Sequence, residues 1–354
     1  MANMHDGTLL LCQSDVIKLL KSVDLVGTIE DAFVQMGGQK AIMPPKLNMS
    51  LGEDGVSWPH HNSFIDAMPS YIDKLNLAGM KIVGGYWSNA TRGLPSIIGK
   101  ILLIDPDTGH LLCLMDGTWI TAFRTAAVSM LGAKHLGCRS PRRVGILGAG
   151  TQGVTHAVLA AAVFAPSEIC IFDIDRERCE AAVKSLSAYL DSRIAVAGSV
   201  REATEASDLV FSATAAKTPF IEAGHLKKRG GFLCTVGSYS EAADSVLDWA
   251  DRVFVDNLQQ ARHRGALARL FATKSSIVEP RISGELPRLL AEGISGRTSP
   301  DQNVWYIPRG MAVSDLAVAA LAYREALNTG AGTRFNLQEQ MDPVSKEALA
   351  SFLG

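Results

Sequence analysis

The most regular succession of apolar and polar segments in this chain lies at residues 143–173. An apolar run at 144–147 opens into a glycine-rich bend, and an alanine- and valine-rich stretch at 156–164 follows. A second apolar run at 169–172 ends in Asp173. Short apolar runs bounded by turn residues are typical of buried strands, whereas the longer stretch between them has the length of a helix. The pattern therefore predicts a strand–helix–strand unit.

Similar short apolar runs continue after this unit. They lie at 194–197, 209–213, 232–236 and 253–255, and each is followed by a loop or a helical stretch. Strands that alternate with helices are typical of a parallel sheet with helices on both faces. Together with the first two runs, these segments predict a six-stranded, doubly wound α/β domain.

The N-terminal part of the chain has a different pattern. Helical periodicity follows Ser14 at 16–20 and follows Asp24 at 29–36, where two glycines end it. Apolar or alternating segments come next and predict strands, the last two of which form a β-hairpin. These segments lie at 56–62, 65–71, 80–83, 97–104 and 110–115. The pattern predicts a mixed α+β domain and not a second parallel unit.

Two helices connect the predicted domains. A stretch rich in small residues at 117–136 leads into the doubly wound domain, and a long apolar helix at 313–327 has no strand to join there. We therefore expect the second helix to return to the N-terminal domain. The predicted first domain comprises residues 1–120 with 315–354, and the predicted second domain comprises residues 121–314.

The composition is that of a globular protein. Hydrophobic residues make up 47% of the 354 residues and charged residues 20%, and the formal net charge is −2. This balance provides no basic surface for nucleic acid or an anionic membrane. No apolar run reaches the roughly 18 residues of a membrane span, and the first residues lack a signal-peptide pattern, so we expect a cytoplasmic protein. The six cysteines lack zinc-type spacing, which predicts reduced thiols and no metal.

The glycine-rich bend, residues 148–153, has the spacing G-x-G-x-x-G between a predicted strand and a predicted helix. In such loops the first glycine allows a tight turn, the second lets the backbone approach a pyrophosphate, and the third lets helix and strand pack closely. The helix N-terminus then directs free N–H groups at the phosphates. The motif predicts a dinucleotide site, and the alternative is an ordinary turn between strand and helix.

Asp173 lies near the roughly 20-residue spacing at which an acid accepts the ribose 2′-hydroxyl of NAD. A carboxylate there repels a 2′-phosphate, although Arg176 follows closely and could hold one. We therefore expect NAD(H), with NADH favoured over NADPH. The nicotinamide is expected at the loops that follow two later strands. The predicted cofactor-binding residues are Gly148, Ala149, Gly150, Thr151, Gln152, Gly153, Asp173, Ile174, Asp175, Arg176, Ser212, Ala213, Thr214, Val236, Gly237 and Ser238.

Further short motifs outside the glycine loop narrow the prediction. They are Met68-Pro69-Ser70-Tyr71, Met80-Lys81, Arg92-Gly93-Leu94-Pro95, Met115-Asp116-Gly117-Thr118, Arg124-Thr125-Ala126-Ala127, and Gly310-Met311-Ala312 with Asp315. In this order and spacing, over residues 40–325, they resemble the ornithine cyclodeaminase/μ-crystallin family. The resemblance implies a homodimer, a Rossmann NAD-binding domain, and a second domain for substrate binding and dimerisation. It also implies chemistry at the α-carbon of an amino or imino acid.

The resemblance implies site residues at the matching positions. Lys81 and Arg124 fall where the family holds its substrate, and Arg124 would bind a carboxylate through two parallel hydrogen bonds. From residue type alone, Arg124 could instead form a salt bridge at the end of its helix. Lys46 stands where members have a second arginine. Asp66 stands where members have a glutamate, and it could position Lys81 or a substrate amine.

His60 and His61 could also line the substrate pocket. Adjacent side chains on a strand point to opposite faces, so at most one of the two would face the site. Asp315 could contact substrate or cap its helix. The predicted catalytic residues are Lys81, Asp66 and Arg124, and the predicted substrate-binding residues are Lys46, Lys81, Arg124 and His61.

One departure from the family pattern bears on the reaction. Cyclodeaminases have an aspartate at the position of Tyr239, where it serves the substrate amine and a water, so ornithine cyclodeamination is disfavoured. We predict an NAD(H)-dependent reductase of the C=N bond of an α-imino acid, which runs in reverse as an amino-acid dehydrogenase. The alternatives are a cyclodeaminase with bound NAD+, an opine-type dehydrogenase, and a protein that binds the cofactor without catalysis.

Overall fold

Two β-sheets organise the computed structural model, which describes residues 7–52, 54–237, 239–263, 265–337 and 345–353. Its helices are α1 (Gln13–Leu19), α2 (Leu25–Gly37), α3 (Thr118–Leu136), α4 (Thr151–Phe164), α5 (Arg176–Ser187), α6 (Val200–Thr204), α7 (Ser245–Trp249), α8 (Leu258–His263), α9 (Ala266–Val278), α10 (Leu286–Glu292), α11 (Ala312–Thr329) and α12 (Lys346–Leu353). Its strands are β1 (Thr8–Leu11), β2 (Ala41–Ile42), β3 (Leu47–Ser50), β4 (Ser63–Ile72), β5 (Leu77–Tyr86), β6 (Ile97–Ile104), β7 (Leu111–Asp116), β8 (Arg143–Leu147), β9 (Glu168–Phe172), β10 (Arg193–Val196), β11 (Leu209–Ser212), β12 (Phe232–Thr235), β13 (Arg252–Val255), β14 (Ile282–Glu285), β15 (Val304–Ile307) and β16 (Thr333–Phe335).

The first sheet is mixed and has the order β16-β1-β7-β6-β5-β4-β2, with β3 also paired to β4. The β1–β7 pair is parallel, and the other pairs are antiparallel, including the predicted β6–β7 hairpin. Side chains along β5 alternate, so that Leu77, Lys81 and Val83 are buried on one face. Lys81 therefore occupies an inward-facing position in the middle of this sheet.

The second sheet is parallel throughout and has the order β10-β9-β8-β11-β12-β15-β13-β14. This confirms the predicted doubly wound fold, whose strand order reverses between β8 and β11. The predicted count of six strands was wrong, because the described residues form eight. The sequence analysis missed β14 and β15, and β15 inserts between β12 and β13 as a fully buried strand.

In the N-terminal part, the structure corrects two local predictions and confirms a third. The segment 56–62 is not a strand, because Asp54 accepts hydrogen bonds from the backbone N–H groups of Val56 and Ser57 and forms a turn there. The strand near this position is β3. Helix α1 has Cys12 as its N-cap and not Ser14. Asp24 caps α2 as predicted, since its side chain accepts from the Gly27 N–H at 2.8 Å.

Helix α11 returns to the mixed sheet as predicted. It packs against α2, α3 and the central strands β4, β5 and β6. The approach to β5 is close, because a Cβ at Gly79 would lie 2.6 Å from Leu316 Cδ1. The first turn of α11 therefore covers the buried face that contains Lys81. Among the described residues, no helix combines the length and the apolar character that a membrane crossing requires.

Candidate active site

Lys81 lies on the face of β5 that α11 covers. Its strand neighbours are Met68 on β4 and Ile101 on β6, and only 1% of its side chain is exposed. Loss of hydration disfavours the charged form of a lysine. This burial, with the nearby positive charge of Arg124, lowers the pKa of Lys81 to about 7, although Asp315 opposes the shift. Lys81 can therefore exchange a proton near neutral pH.

Asp315, in the first turn of α11, accepts hydrogen bonds from two cations through one oxygen. Lys81 Nζ and Arg124 Nε each lie 2.8 Å from Asp315 Oδ1, and all three side chains are buried. We refer to Lys81, Arg124 and Asp315 as the cation cluster. When Lys81 is protonated, the cluster carries one excess positive charge. A buried excess charge is stabilised by a partner of opposite sign, so the cluster favours an anion.

A tight turn next to α11 holds Arg124 in place. Gly310 has a φ of +79°, and a Cβ there would lie 2.9 Å from Arg124 Nη1, so both backbone conformation and space favour glycine. The N–H groups of Arg309 and Gly310 each donate to Asp256 Oδ2 at 2.8 Å. Burial raises the pKa of Asp256. Because Asp256 directly follows β13, this turn joins the cation cluster to the carboxyl edge of the parallel sheet.

The structure brings Lys46 to the same turn. Lys46 Nζ donates to the carbonyl oxygen of Arg309 at 3.2 Å, and its charge contributes to the lowered pKa of Lys81. Asp66 is buried in β4 and accepts from Asn48 Nδ2 at 2.6 Å. The carboxylate that the structure places on Lys81 is that of Asp315, whose contact with both cations was not predicted.

His60 and His61 lie between β3 and β4, outside any strand. Both are exposed, so the argument from opposite strand faces does not apply to them. Within the described part of the chain, no hydrogen bond or ion pair joins either side chain to the cation cluster. The role of His61 in substrate binding stays a prediction.

The glycine loop between β8 and α4 has the space that a pyrophosphate needs. A Cβ at Gly148 would lie 2.7 Å from the Ala213 oxygen, and one at Gly153 would lie 1.8 Å from the Gly148 oxygen. A Cβ at Gly150 would meet no atom within 4 Å, and this residue caps α4 without a side-chain hydrogen bond. The first N–H groups of α4, including those of Thr151 and Gln152, have no acceptor within the helix, and the space beside Gly150 is open. These residues fit a dinucleotide phosphate group.

Asp173 stands at the end of β9, beside this loop. Its carboxylate accepts from the Ala149 N–H at 2.7 Å and from the Asp175 N–H at 2.9 Å. Arg176, which could have held a 2′-phosphate, donates to Glu180 Oε1 at 2.7 Å on its own helix. Ile174 is almost fully exposed. The acid that is hydrogen-bonded to the glycine loop is therefore a carboxylate of the kind that accepts from ribose hydroxyls.

The loops after β11 and β12 meet on one buried carboxylate, Glu241. Its Oε1 accepts from Ser212 Oγ at 2.6 Å and from the N–H of Thr214 at 2.8 Å, and its Oε2 accepts from the Gly237 N–H at 2.8 Å. The sequence analysis selected these loops, which also contain Ala213 and Val236, but missed Glu241. An acid after a predicted loop has no distinctive sequence signal. The predicted residue Ser238 lies outside the described residues.

Comparison with known proteins gives matches over nearly the whole chain. A family model described as "Ornithine cyclodeaminase/mu-crystallin family" matches residues 7–330. The structure of Thermococcus litoralis Δ1-pyrroline-2-carboxylate reductase in complex with NADH and L-proline is 31% identical and has a TM-score of 0.86, covering 93% of this chain and 100% of that chain. An archaeal alanine dehydrogenase dimer with bound NAD is 25% identical and has a TM-score of 0.85, covering 94% and 100%.

A third relative is the ketimine reductase mu-crystallin of Rattus norvegicus. It is 30% identical over 287 residues, which cover 78% of this chain and 88% of that protein. The family match covers all described strands except β16 and includes the glycine loop, Lys81, Arg124 and Asp315. The chain belongs to the ornithine cyclodeaminase/mu-crystallin family.

Proposed function

We propose that this protein is an NAD(H)-dependent oxidoreductase that reduces the C=N bond of an α-imino acid and, in reverse, oxidises the corresponding amino acid. The observation that carries the proposal is the buried cation cluster, joined through the turn at 309–310 to the carboxyl edge of the parallel sheet. In doubly wound folds the nicotinamide half of a dinucleotide binds at this edge. The named relatives, which are reductases and dehydrogenases acting on C–N groups, support the same reaction class.

Arg124 would hold the substrate carboxylate. Its Nε donates to Asp315, which fixes the plane of the guanidinium, and its terminal nitrogens have no hydrogen-bonded acceptor among the described residues. These two nitrogens can donate in parallel to a carboxylate, which fixes both position and orientation. Lys46 adds a second positive charge near the same turn. The α-carbon of the bound substrate is then held in a defined orientation.

Lys81 would supply the proton that the imine nitrogen takes up. With a pKa of about 7, Lys81 is both partly protonated and able to release its proton near neutral pH, which suits a general acid. The Asp315 carboxylate orients the ammonium group. When bound, NADH supplies the hydride for the imine carbon. In the reverse direction, neutral Lys81 would take the proton from the amine.

We propose that NADH is preferred over NADPH. The Asp173 carboxylate beside the glycine loop disfavours a 2′-phosphate, and Arg176 is engaged by Glu180. We further assign residues 121–314 to cofactor binding and residues 1–120 with 315–354 to substrate binding and dimerisation. The separation of β8 to β15 from the mixed sheet supports this division.

Among the residues that the structure describes, no feature favours a cyclodeaminase. The position where cyclodeaminases have an aspartate is occupied by Tyr239, which is half-buried. Lys217 Nζ lies 6.0 Å from the centroid of its ring. A phenol ring beside a lysine does not replace the carboxylate that would serve the substrate amine in ammonia release.

We propose a homodimer that forms through the edge of the mixed sheet at β2 and β3. Ile42, Leu47 and Met49 on these two strands are each more than half exposed, and exposed apolar edge strands favour association. Light scattering after size exclusion would test this. Leu47→Asp combined with Met49→Asp is expected to give monomers, whereas Ile277→Asp on α9 serves as an exposed control and should not. A dimer that persists in the double variant would contradict the proposed interface.

We also propose a cytoplasmic location. All six cysteines are free thiols, and four of them are buried. Unpaired thiols are typical of proteins in a reducing compartment.

A steady-state assay tests the proposed reaction. NADH oxidation would be followed with a panel of cyclic and acyclic α-imino acids, and with the matching imines that lack a carboxylate. The carboxylate-bearing substrates are expected to have a kcat/KM at least about 100-fold higher, because the charged contact to Arg124 is lost in the controls. Equal kcat/KM for both sets, or no NADH oxidation with any imino acid, would contradict the proposal.

A further inference from the structure

The backbone of Gly237, just after β12, is held through both its N–H and its carbonyl group. Glu241 Oε2 accepts from the Gly237 N–H at 2.8 Å, and Arg309 Nη1 and Nη2 donate to Gly237 O at 3.1 and 3.0 Å. Arg309 Nη2 also donates to the Thr235 oxygen at 3.3 Å. We refer to Glu241 and Arg309 as the Gly237 clamp. Two side chains of opposite charge thus hold the N–H and the carbonyl group of Gly237, which belong to the two peptide planes on either side of its α-carbon.

Glu241 extends the clamp to the neighbouring strand. It is fully buried, and its Oε1 accepts from Ser212 Oγ, the Thr214 N–H and Thr214 Oγ1 at 2.6, 2.8 and 2.7 Å. Charge-assisted hydrogen bonds of this length are strong, and several of them offset the loss of hydration of a buried carboxylate. One side chain therefore fixes the loop after β11 relative to the loop after β12.

No space remains for this peptide to shift. A Cβ at Gly237 would lie 2.5 Å from the Glu241 carboxyl carbon and 2.9 Å from the Thr214 oxygen. The peptide thus passes between the clamp and the neighbouring loop in close contact with both. Removal of Glu241 or Arg309 would leave the buried N–H or carbonyl group of Gly237 without a hydrogen-bond partner. The loop after β12 could then move.

The clamp also reaches the substrate half of the site. The carbonyl oxygen of Arg309 accepts from Lys46 Nζ at 3.2 Å, and the next residue, Gly310, lies against Arg124. Arg309 therefore contacts the cofactor edge through its guanidinium and a predicted substrate-binding cation through its backbone. A shift of Arg309 would move both halves of the site.

We infer that Glu241 and Arg309 are positioning residues, which set the Gly237 backbone so that the nicotinamide half of the dinucleotide lies in register with the cation cluster. The inference rests on the proposed function, because it assigns a dinucleotide to this edge of the sheet. Neither residue would contact the reacting atoms. Their effect is exerted through the Gly237 and Thr214 backbone.

Glu241→Gln is the decisive variant. The glutamine keeps an oxygen for Ser212 and Thr214, but its NH2 group would face the Gly237 N–H, so that two donors oppose each other. Binding of NADH and of ADP-ribose, which lacks the nicotinamide, would be measured by calorimetry together with thermal unfolding. The Kd for NADH is expected to rise about tenfold, as for one lost charged contact, while the Kd for ADP-ribose stays within about twofold.

Catalysis provides a second measurement. The isotope effect would not change in these variants if Glu241 and Arg309 only stabilised the fold. A displaced nicotinamide lowers kcat by roughly 100-fold and raises the primary isotope effect with deuterated NADH, because the reacting groups are misaligned. Loss of folded protein would lower the amount of active enzyme without changing the isotope effect. Arg309→Lys, which keeps the charge but not the two parallel donors, is expected to give the same pattern with a smaller change.

Glu205→Gln is the matched control, since Glu205 is exposed and pairs with Arg201 on the surface. Unchanged NADH affinity and kinetics in Glu241→Gln and Arg309→Lys would overturn the inference. An equal loss of NADH and ADP-ribose affinity with a lower unfolding temperature would also overturn it, since the residues would then be purely structural. If the unmodified protein binds neither ligand, the proposed function itself fails. If the unmodified protein binds NADH but shows no turnover, the comparison of the Kd values for NADH and ADP-ribose decides the inference.

Discussion

The two halves of the candidate active site are built from different parts of the polypeptide. The glycine loop uses the backbone of consecutive residues at 148–153, and its fit depends on where a Cβ would have no room. The cation cluster uses the side chains of Lys81, Arg124 and Asp315, which come from three elements far apart in the sequence. The glycine loop depends on the room that the absence of side chains leaves, whereas the cation cluster depends on the number of positive and negative charges buried together. Substitutions should therefore affect the two halves in different ways.

Among substitutions that should affect the cation cluster and not the glycine loop, Lys81→Met is expected to have the largest effect. Loss of the proton donor should lower kcat for imine reduction by about 1,000-fold, within the range typical of general acids. In the unmodified protein, reduction should decline as pH rises through about 7, because it needs protonated Lys81, and amine oxidation should rise over the same interval. These opposite dependences should be absent from the variant.

Calorimetric titration with NADH provides the control for this prediction. The Kd for NADH should be unchanged in Lys81→Met, because the glycine loop is built without this side chain. A parallel loss of NADH affinity would show that the two halves are not independent. An unaltered pH profile of the residual activity would contradict the role of Lys81 as the proton donor.

Arg124→Met tests the anion side of the same comparison. It removes the parallel donors for the carboxylate and leaves Lys81 and Asp315 as a balanced pair, so kcat/KM should fall by about 100-fold. Arg324→Met is a suitable control, since Arg324 lies on α11 with most of its side chain exposed. Steady-state kinetics on a carboxylate-bearing imine and on its analogue without a carboxylate would measure the effect. An equal loss for both substrates would contradict a carboxylate contact.

The positions of the glycine loop between β8 and α4, and of Asp173 after β9, could be predicted from the sequence because these features depend on neighbouring residues. Each glycine occupies a position that local chain geometry already constrains. The cation cluster could be predicted only in part. Lys81 and Arg124 were selected through the family resemblance, whereas their shared contact with Asp315 depends on how α11 crosses β5. No local pattern encodes that crossing.

The same distinction explains the other differences between sequence and structure. Strand β15 is apolar and could have been recognised, but its place between β12 and β13 depends on tertiary pairing. Glu241 gains its partners only when the loops after β11 and β12 meet. At 56–62 an alternating pattern was overridden by the turn that Asp54 forms with the following backbone. Side-chain partners from distant segments are thus the part that sequence patterns leave open.

Asp173→Asn addresses the cofactor half. The asparagine keeps an oxygen for the Ala149 N–H, turns its NH2 group towards the Asp175 N–H, and removes the negative charge that disfavours a 2′-phosphate. The ratio of kcat/KM for NADPH to that for NADH should rise about tenfold, as for one changed charged contact. The KM of the imino acid should be unchanged, with Asp191→Asn as an exposed control. A ratio that does not change would show that Asp173 does not select the cofactor.

The last comparison concerns stability and distinguishes the halves without any ligand. Burial lowers the pKa of Lys81 from 10.5 to about 7 in the folded state, so between these values the unfolded chain binds more protons than the folded protein. The free-energy cost of burying the protonated Lys81 side chain is therefore present in full below pH 7. This cost decreases as pH rises towards 10. The stability advantage of Lys81→Met over the unmodified protein should be greatest near pH 6.5 and should decrease at higher pH, by at most about 1.4 kcal/mol per unit. Urea unfolding at pH 6.5, 8.0 and 9.5 would measure the difference, and the same comparison for Asp191→Asn should show no such slope. A difference that stays constant or grows with pH would mean that the ammonium group is not destabilised by its surroundings, and the charge-balance account of the cation cluster would then be wrong.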